Sequence, residues 1–269
     1  MKESNKPALI IIVPCYNEEE VFLHTAKTLS LKIELLISQG LISEKSKLLF
    51  IDDGSTDNTW GLIENLHRGN PLFYNGIKLK KNQGQESALL CGLLSVIDYA
   101  DVTVSIDADL QDDIDAIDKM LECYLSGFEI ILGVRTNRDT DRLFNKLSAK
   151  IFYGLMGILG AGLVKDHSEF RLMGKNAMKA LSEYDGNYIF LRGIIIRLGY
   201  KIGIVHYEMK KRMAGKSKYS IRKLIKLAIK GIIFYCLKGK PKSKIANKQS
   251  MLNNIGKCLL GMEEIINAQ

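Results

Sequence analysis

The sequence has no apolar run long enough to cross a bilayer. Its longest uncharged apolar stretch, residues 151–164, carries four glycines, falls short of the roughly 20 residues a spanning helix needs, and fits a buried or interfacial helix. Cysteine is sparse and scattered. Cys15, Cys91, Cys123, Cys236 and Cys258 form no C-x-x-C pair, which excludes a zinc ribbon or disulfide scaffold and reads as reduced thiols in a cytosolic protein. No G-x-G-x-x-G follows the first expected strand, so a dinucleotide-binding oxidoreductase is disfavoured. The first eight residues are mostly polar and lead straight into a strand, which reads as no secretory signal. There is no internal repeat. Histidine and tryptophan are scarce, with four and one. His24 and His67 fall on expected helices and His206 on an expected strand, where a structural role is the simplest reading. His167, beside Asp166 and Glu169, is the exception.

What is present is unevenly charged. The first 200 residues hold 22 basic and 27 acidic residues, whereas from Lys201 onward there are 16 basic and 3 acidic, giving the overall +8. An acidic body with a basic tail implies a polyanionic partner for the tail, either an anionic membrane or nucleic acid. The chain of 269 residues, 46% hydrophobic, is large enough for one core plus an appendage.

Short β-branched runs alternate with helical patterns. Strands are expected at 9–13, 47–51, 76–79, 102–106 and 129–134, and helices at 18–39, 59–67, 85–99 and 113–125, with Asp57 capping the second helix. That alternation means an α/β domain with a mostly parallel sheet. Beyond it the pattern is more helical: 143–159, 176–184 and 188–198, then a strand at 202–207. Residues 219–238 form a basic amphipathic segment, with Arg222, Lys226 and Lys230 in a stripe away from its apolar positions. Residues 239–249 are a Lys-rich linker and 250–269 read as a second amphipathic helix.

Three expected strand ends are chemically loaded. The first runs into Pro14-Cys15-Tyr16-Asn17-Glu18, the second into Asp52-Asp53-Gly54-Ser55, and the fourth into Asp107-Ala108-Asp109-Leu110-Gln111. Side chains alternate along a strand, so Asp107 and Asp109 point the same way. A hard divalent cation removes their repulsion and can hold a diphosphate, and Gln111 is placed to join it. Ligands of open α/β sheets bind beyond the carboxyl ends of the strands. Each segment alone is equally readable as a solvated turn; all three together point to a nucleotide site.

These segments make the chain resemble the family-2 glycosyltransferases of GT-A fold, most closely the dolichyl-phosphate mannosyltransferase and bacterial polyprenyl-phosphate glucosyltransferase branch. The resemblance rests on V-P-C-Y-N-E-E (13–19), I-D-D-G-S-T-D-N-T (51–59), N-Q-G-Q-E-S-A-L-L-C-G (82–92), I-D-A-D-L-Q-D (106–112), G-V-R (133–135), F-R-L-M (170–173) and A-G-K-S-K-Y-S (214–220). It implies a GT-A catalytic domain over 1–218. Pro14, Tyr16, Glu18 and Asp53 would line the nucleoside pocket. Asp107, Asp109 and Gln111 would surround Mg²⁺ or Mn²⁺ and the diphosphate. Arg135 would face the substrate phosphates, and Arg212, Ser217 and Lys218 would belong to a loop near them. Glu169 stands where the family usually has aspartate, a candidate catalytic carboxylate that Arg171 also matches as a structural partner. Asp113 replaces the family's usual proline, and Lys216 its usual glutamate.

The implied reaction is metal-dependent, inverting transfer of a hexose from a nucleotide sugar, UDP-glucose or GDP-mannose in type, to a polyprenyl phosphate. It would take place on the cytoplasmic face of an anionic membrane, with a membrane-anchored subunit or a second copy as further partners and no nucleic acid. The alternatives are transfer to a glycan or cell-wall polymer hydroxyl, which would want Asp166 or Glu169 as base, a non-catalytic membrane scaffold, and a nucleic-acid-binding protein using the basic tail.

Overall fold

Five-residue apolar runs such as Leu9-Ile10-Ile11-Ile12-Val13 have nowhere to go but a sheet covered on both faces, and that is where the computed structural model puts them. It describes residues 6–136, 164, 167–184, 190–210 and, for the backbone, 255–259. In chain order the elements are β1 (Leu9–Cys15), α1 (Glu19–Ser38), β2 (Lys47–Asp52), α2 (Thr59–Gly69), β3 (Tyr74–Leu79), α3 (Gln85–Ser95), β4 (Val102–Ser105), α4 (Ala116–Leu125), β5 (Ile130–Arg135), β6 (His167–Gly174), α5 (Lys175–Ser182), α6 (Leu191–Arg197), β7 (Ile202–Tyr207) and β8 (Ile255–Leu259). One eight-stranded sheet runs β7-β5-β6-β4-β1-β2-β3-β8.

Alternate residues of each strand feed two cores. Leu9, Ile11, Val13, Leu48, Phe50 and Val104 pack with Phe22, Leu29 and Ile33 of α1, Ile63 of α2 and Met120 of α4. Ile10, Ile12, Leu49 and Ile51 pack on the other face with Leu89 of α3, Met178 of α5 and Ile194 of α6. The result is a helix–sheet–helix sandwich, the α/β class expected. Asp57 does its expected work at the start of α2, its Oδ1 accepting the Thr59 N–H at 3.0 Å, although Asn58 stands at the cap position.

Two elements depart from expectation. The first is β6, a buried antiparallel strand between β4 and β5, where no strand was expected. Its charged residues Glu169 and Arg171 hide the pattern; they pair with each other in the interior. The second is β8. A helix was expected over 250–269, but 255–259 runs antiparallel to β3, with Ile77 opposite Cys258 and Lys78 opposite Lys257. An uncovered β3 edge offers a row of unpaired backbone groups, and Gly256 weakens a helix there. Residues 255–259 therefore join the same sheet as β1 to β7. The expected segments 219–238 and 239–249, the helix at 143–159, and nearly all of 151–164 lie outside the described residues.

Candidate active site

β4, β1 and β2 are adjacent and parallel, with Ile12 opposite Ser105 and Cys15 opposite Asp52. Their carboxyl ends therefore open side by side, and the three loaded turns meet there. Pro14 and Cys15 end β1. Tyr16, Asn17 and Glu18 then turn into α1, with Asn17 in the left-handed region at φ 53°, a conformation asparagine tolerates. The Asn17 N–H donates to Ser55 Oγ at 2.9 Å, its Oδ1 accepts the Thr56 N–H at 2.8 Å, and the Glu18 N–H donates to Thr59 Oγ1 at 2.9 Å. Pro14, Tyr16 and Glu18 are thereby fixed against the 52–59 turn.

Asp53 is buried, and its carboxylate is already engaged. Oδ1 accepts the Gln83 N–H at 2.7 Å and Oδ2 the Gly84 N–H at 2.9 Å. Burial pushes its carboxyl up while these two bonds pull it back. The same turn requires Gly54, which has φ 70° and whose added Cβ would lie 2.7 Å from the backbone of Lys81 and Asn82. Asp53 thus serves first to hold the 82–84 loop against the end of β2.

Asp107 and Asp109 follow β4 and are partly exposed. Gln85 Nε2, from the first residue of α3, donates to Asp107 Oδ1. The Asp107 carboxyl is pushed up to about 7 by burial and then by the charges of Asp112 and Asp109, against the pull of Arg135 and Arg192. Asp109 Oδ1 accepts the Gln111 N–H at 3.2 Å, so Gln111 is drawn into the same turn. No group of three or more His, Cys, Asp or Glu among the described residues is placed to hold a cation alone. Magnesium-type ions take one or two carboxylates and complete their shell with water and substrate phosphate. Two mutually repelling carboxylates at an open strand end fit that mode.

Arg135, at the end of β5, is held at the crevice by a buried anchor. Its Nη2 donates to Asp112 Oδ1 at 3.2 Å and its Nε to the Tyr207 hydroxyl at 3.1 Å; Tyr207 also donates to Asp112 and lies 2.8 Å from Ser168 Oγ. Burial works against the guanidinium charge, but Asp112, Tyr207 and Asp107 outweigh it and hold Arg135 above its ordinary value. Burial and then Asp112 push the Tyr207 phenol up as well. Arg135 stays charged, with a side chain 28% exposed against 1% for Asp112.

Glu169 is not a free carboxylate. It pairs with Arg171 beside it on β6, and its Oε1 accepts from Arg192 Nε of α6 at 2.7 Å. Burial and then Arg192 lower Arg171 to about 9. The structure thus supports the partner reading of Arg171, with Glu169 paired to both Arg171 and Arg192. Arg212, Ser217 and Lys218 lie outside the described residues. The chain approaches them from the acidic turn: the Lys210 N–H donates to the Gln111 carbonyl at 2.8 Å, and Lys210 Nζ lies 2.7 Å from Asp113 Oδ1. Asp113, the residue in place of the usual proline, has gained an ionic partner.

Sequence reasoning gave no role to Gln85, Asp112, Tyr207 or Arg192. Asp112 closes the acidic run and Gln85 lies inside a quoted motif, so their neighbourhoods were visible. Tyr207 and Arg192 reach the site only through the strand order, which no local pattern carries.

The comparisons with known proteins agree with this geometry. The family model described as Glycosyl transferase family 2 matches residues 10–196. The uncharacterized glycosyltransferase YkoT of Bacillus subtilis is 45% identical over 86% of this chain and 68% of its own length. The prophage bactoprenol glucosyl transferase homolog of Escherichia coli is 32% identical over 82% of this chain and 70% of its own. Among solved structures, glucosyl-3-phosphoglycerate synthase of Mycobacterium tuberculosis, in complex with Mn²⁺, UDP-glucose and phosphoglyceric acid, shares the fold at TM-score 0.58. It is 18% identical, over 86% of this chain and 80% of that one. With a GT-A-type sheet, a loaded set of strand ends and these relatives, the chain belongs to glycosyl transferase family 2 and is an enzyme of the transferase type.

Proposed function

We propose that the enzyme transfers a hexose from a nucleotide diphosphate sugar to a polyprenyl phosphate, with inversion at the anomeric carbon. The observation that carries the reading is the meeting of the Asp107–Asp109 pair with Arg135 at one end of the sheet: carboxylates for a cation and a fixed guanidinium for phosphate. The relatives named bactoprenol glucosyl transferase support the lipid-phosphate acceptor and make UDP-glucose the first donor to test, ahead of GDP-mannose.

Pro14, Tyr16, Glu18 and Asp53 receive the nucleoside. Asp107 and Asp109, with Gln111, would hold Mg²⁺ or Mn²⁺, which supplies charge neutralisation of the departing diphosphate. Arg135 faces the phosphates and orients them. Arg212, Ser217 and Lys218 belong to the same phosphate side, a placement supported by the ties of Lys210 to Gln111 and Asp113. The acceptor is already an anion, so attack needs no strong base. That suits a Glu169 whose carboxylate is taken by two arginines, and Glu169 acts here by holding Arg171 and Arg192 beside Asp107. A hydroxyl acceptor would need a free carboxylate instead. The basic segment 219–238 would set the enzyme on the cytoplasmic face of an anionic membrane. No helix among the described residues is long and apolar enough to cross one.

The test is a transfer assay with labelled UDP-glucose and GDP-mannose against undecaprenyl phosphate and against oligosaccharide acceptors. The expected product is a lipid-linked monophosphoryl hexose. Transfer only to the oligosaccharide would overturn the acceptor, and undiminished transfer with all divalent cations chelated would overturn the cation.

A further inference from the structure

The acidic turn after β4 is not self-supporting. Asp107, Asp109 and Asp112 repel one another, and between them Leu110 has φ 49°, a left-handed conformation that a branched residue keeps only when its surroundings impose it. Within the turn the bonds are long: Leu110 N–H to the Asp107 carbonyl at 3.3 Å and Gln111 N–H to Asp109 Oδ1 at 3.2 Å. The support comes from outside, and from both faces of the sheet.

On the α1 face, Thr25 is 1% exposed. Its Oγ1 lies 2.5 Å from the carbonyl oxygen of Ala108, the residue between the two aspartates, and 3.1 Å from the Val21 carbonyl. A hydroxyl has one proton to give, and the shorter contact takes it. On the α3 face, Gln85 donates to Asp107 Oδ1. Neither residue stands among the groups that receive nucleoside, phosphate or cation.

We propose that Thr25 and Gln85 are positioning residues that clamp the D-A-D turn from opposite faces of the sheet and set its affinity for a divalent cation. The proposal rests on the cation role given to Asp107 and Asp109 above. Outer partners that orient metal ligands typically alter affinity by about 10- to 100-fold, because without them the cation must do the ordering itself.

The probe is Mn²⁺ alone, titrated into the full-length protein and followed by the paramagnetic resonance of the free ion, with circular dichroism melts on every variant. Thr25→Val keeps the shape and removes the donor; it should weaken Mn²⁺ binding about 10- to 100-fold while the melt stays cooperative. Thr25→Ser restores the hydroxyl and should restore affinity. Gln85→Leu should weaken binding in the same range. In turnover, the variants should need more Mn²⁺ yet approach the wild-type kcat at saturation. A cooperatively folded Thr25→Val that binds Mn²⁺ as the wild type does, or a Thr25→Ser that fails to rescue it, overturns the proposal. Should Thr25→Val not fold, wild-type affinity in Gln85→Leu overturns it equally. Asp109→Ala separates the two levels: if it keeps wild-type Mn²⁺ affinity the cation reading itself fails, whereas if it loses affinity and the clamp variants do not, only the clamp fails.

Discussion

At Asp107, burial and two neighbouring carboxylates act in one direction, and the proposed cation would resolve the arrangement. Removing the second carboxylate tests that. Asp109→Ala should cost several kcal/mol of transition-state stabilisation, a fall of roughly 10³-fold in Mn²⁺-dependent turnover, with an unchanged circular dichroism spectrum; a folded variant at near-normal rate contradicts the assignment. His167 raises a different point, since it carries no catalytic duty in this structure. It is 3% exposed, with Nδ1 2.6 Å from the Val164 carbonyl, and burial followed by the charges of Arg192 and Arg171 lowers it to about 3. The unfolded chain protonates this imidazole near pH 6.5, whereas the native protein refuses the proton until about 3. Stability is therefore fully present above pH 6.5 and is lost as the pH falls through that window, by at most about 1.4 kcal/mol per pH unit from this group. Urea unfolding of wild type and His167→Asn between pH 7 and pH 4 should show the variant losing less.

Among the elements, β6 shows where a sequence stops being legible. The strands β1, β2 and β5 are built on apolar runs and β4 alternates Val with Thr and Ser, and their places were read within a residue or two because burial on both faces favours such compositions. β6 is equally buried, yet it carries His167, Glu169 and Arg171 on one face. Its polarity reads as surface until the partners are known, and the partner Arg192 comes from another element. β8 failed for the opposite reason: five residues with apolar ends satisfy a helical and an extended period alike, and only the open edge of β3 decides. The β6 charges give an element-scale prediction. Glu169→Leu strips the buried Arg171 and the partly buried Arg192 of their counter-ion and should destabilise the protein by about 3–5 kcal/mol, while Glu169→Leu with Arg171→Met recovers most of it. Urea midpoints at constant slope are the measurement, and a single variant as stable as wild type would show that the pair contributes nothing.

Over the whole molecule, the site was legible as three acidic strand ends because strand ends are where an α/β sheet collects its chemistry. Its supports were not, because Thr25 and Tyr207 meet it only through the packing of separate elements, and Gln85 and Asp112, though inside or beside visible motifs, show their partners only in the fold. The other feature of that scale is charge. A body of net −5 is followed, from Lys201, by a surplus of 13 positive charges. On a uniform surface those charges would serve solubility alone; gathered at one end of a chain whose proposed acceptor is a membrane lipid, they would select an anionic surface under that proposal. Each basic residue near an anionic leaflet is worth on the order of 1 kcal/mol before screening, so several acting together would suffice for peripheral binding. The purified protein should therefore sediment with vesicles containing phosphatidylglycerol, release as ionic strength rises, and stay in solution with neutral phosphatidylcholine. Replacing Arg222, Lys226 and Lys230 by glutamate should remove most of the binding while leaving Mn²⁺ affinity intact, since the cation is assigned to Asp107, Asp109 and Gln111. Sedimentation indifferent to lipid charge would assign the basic tail to another partner.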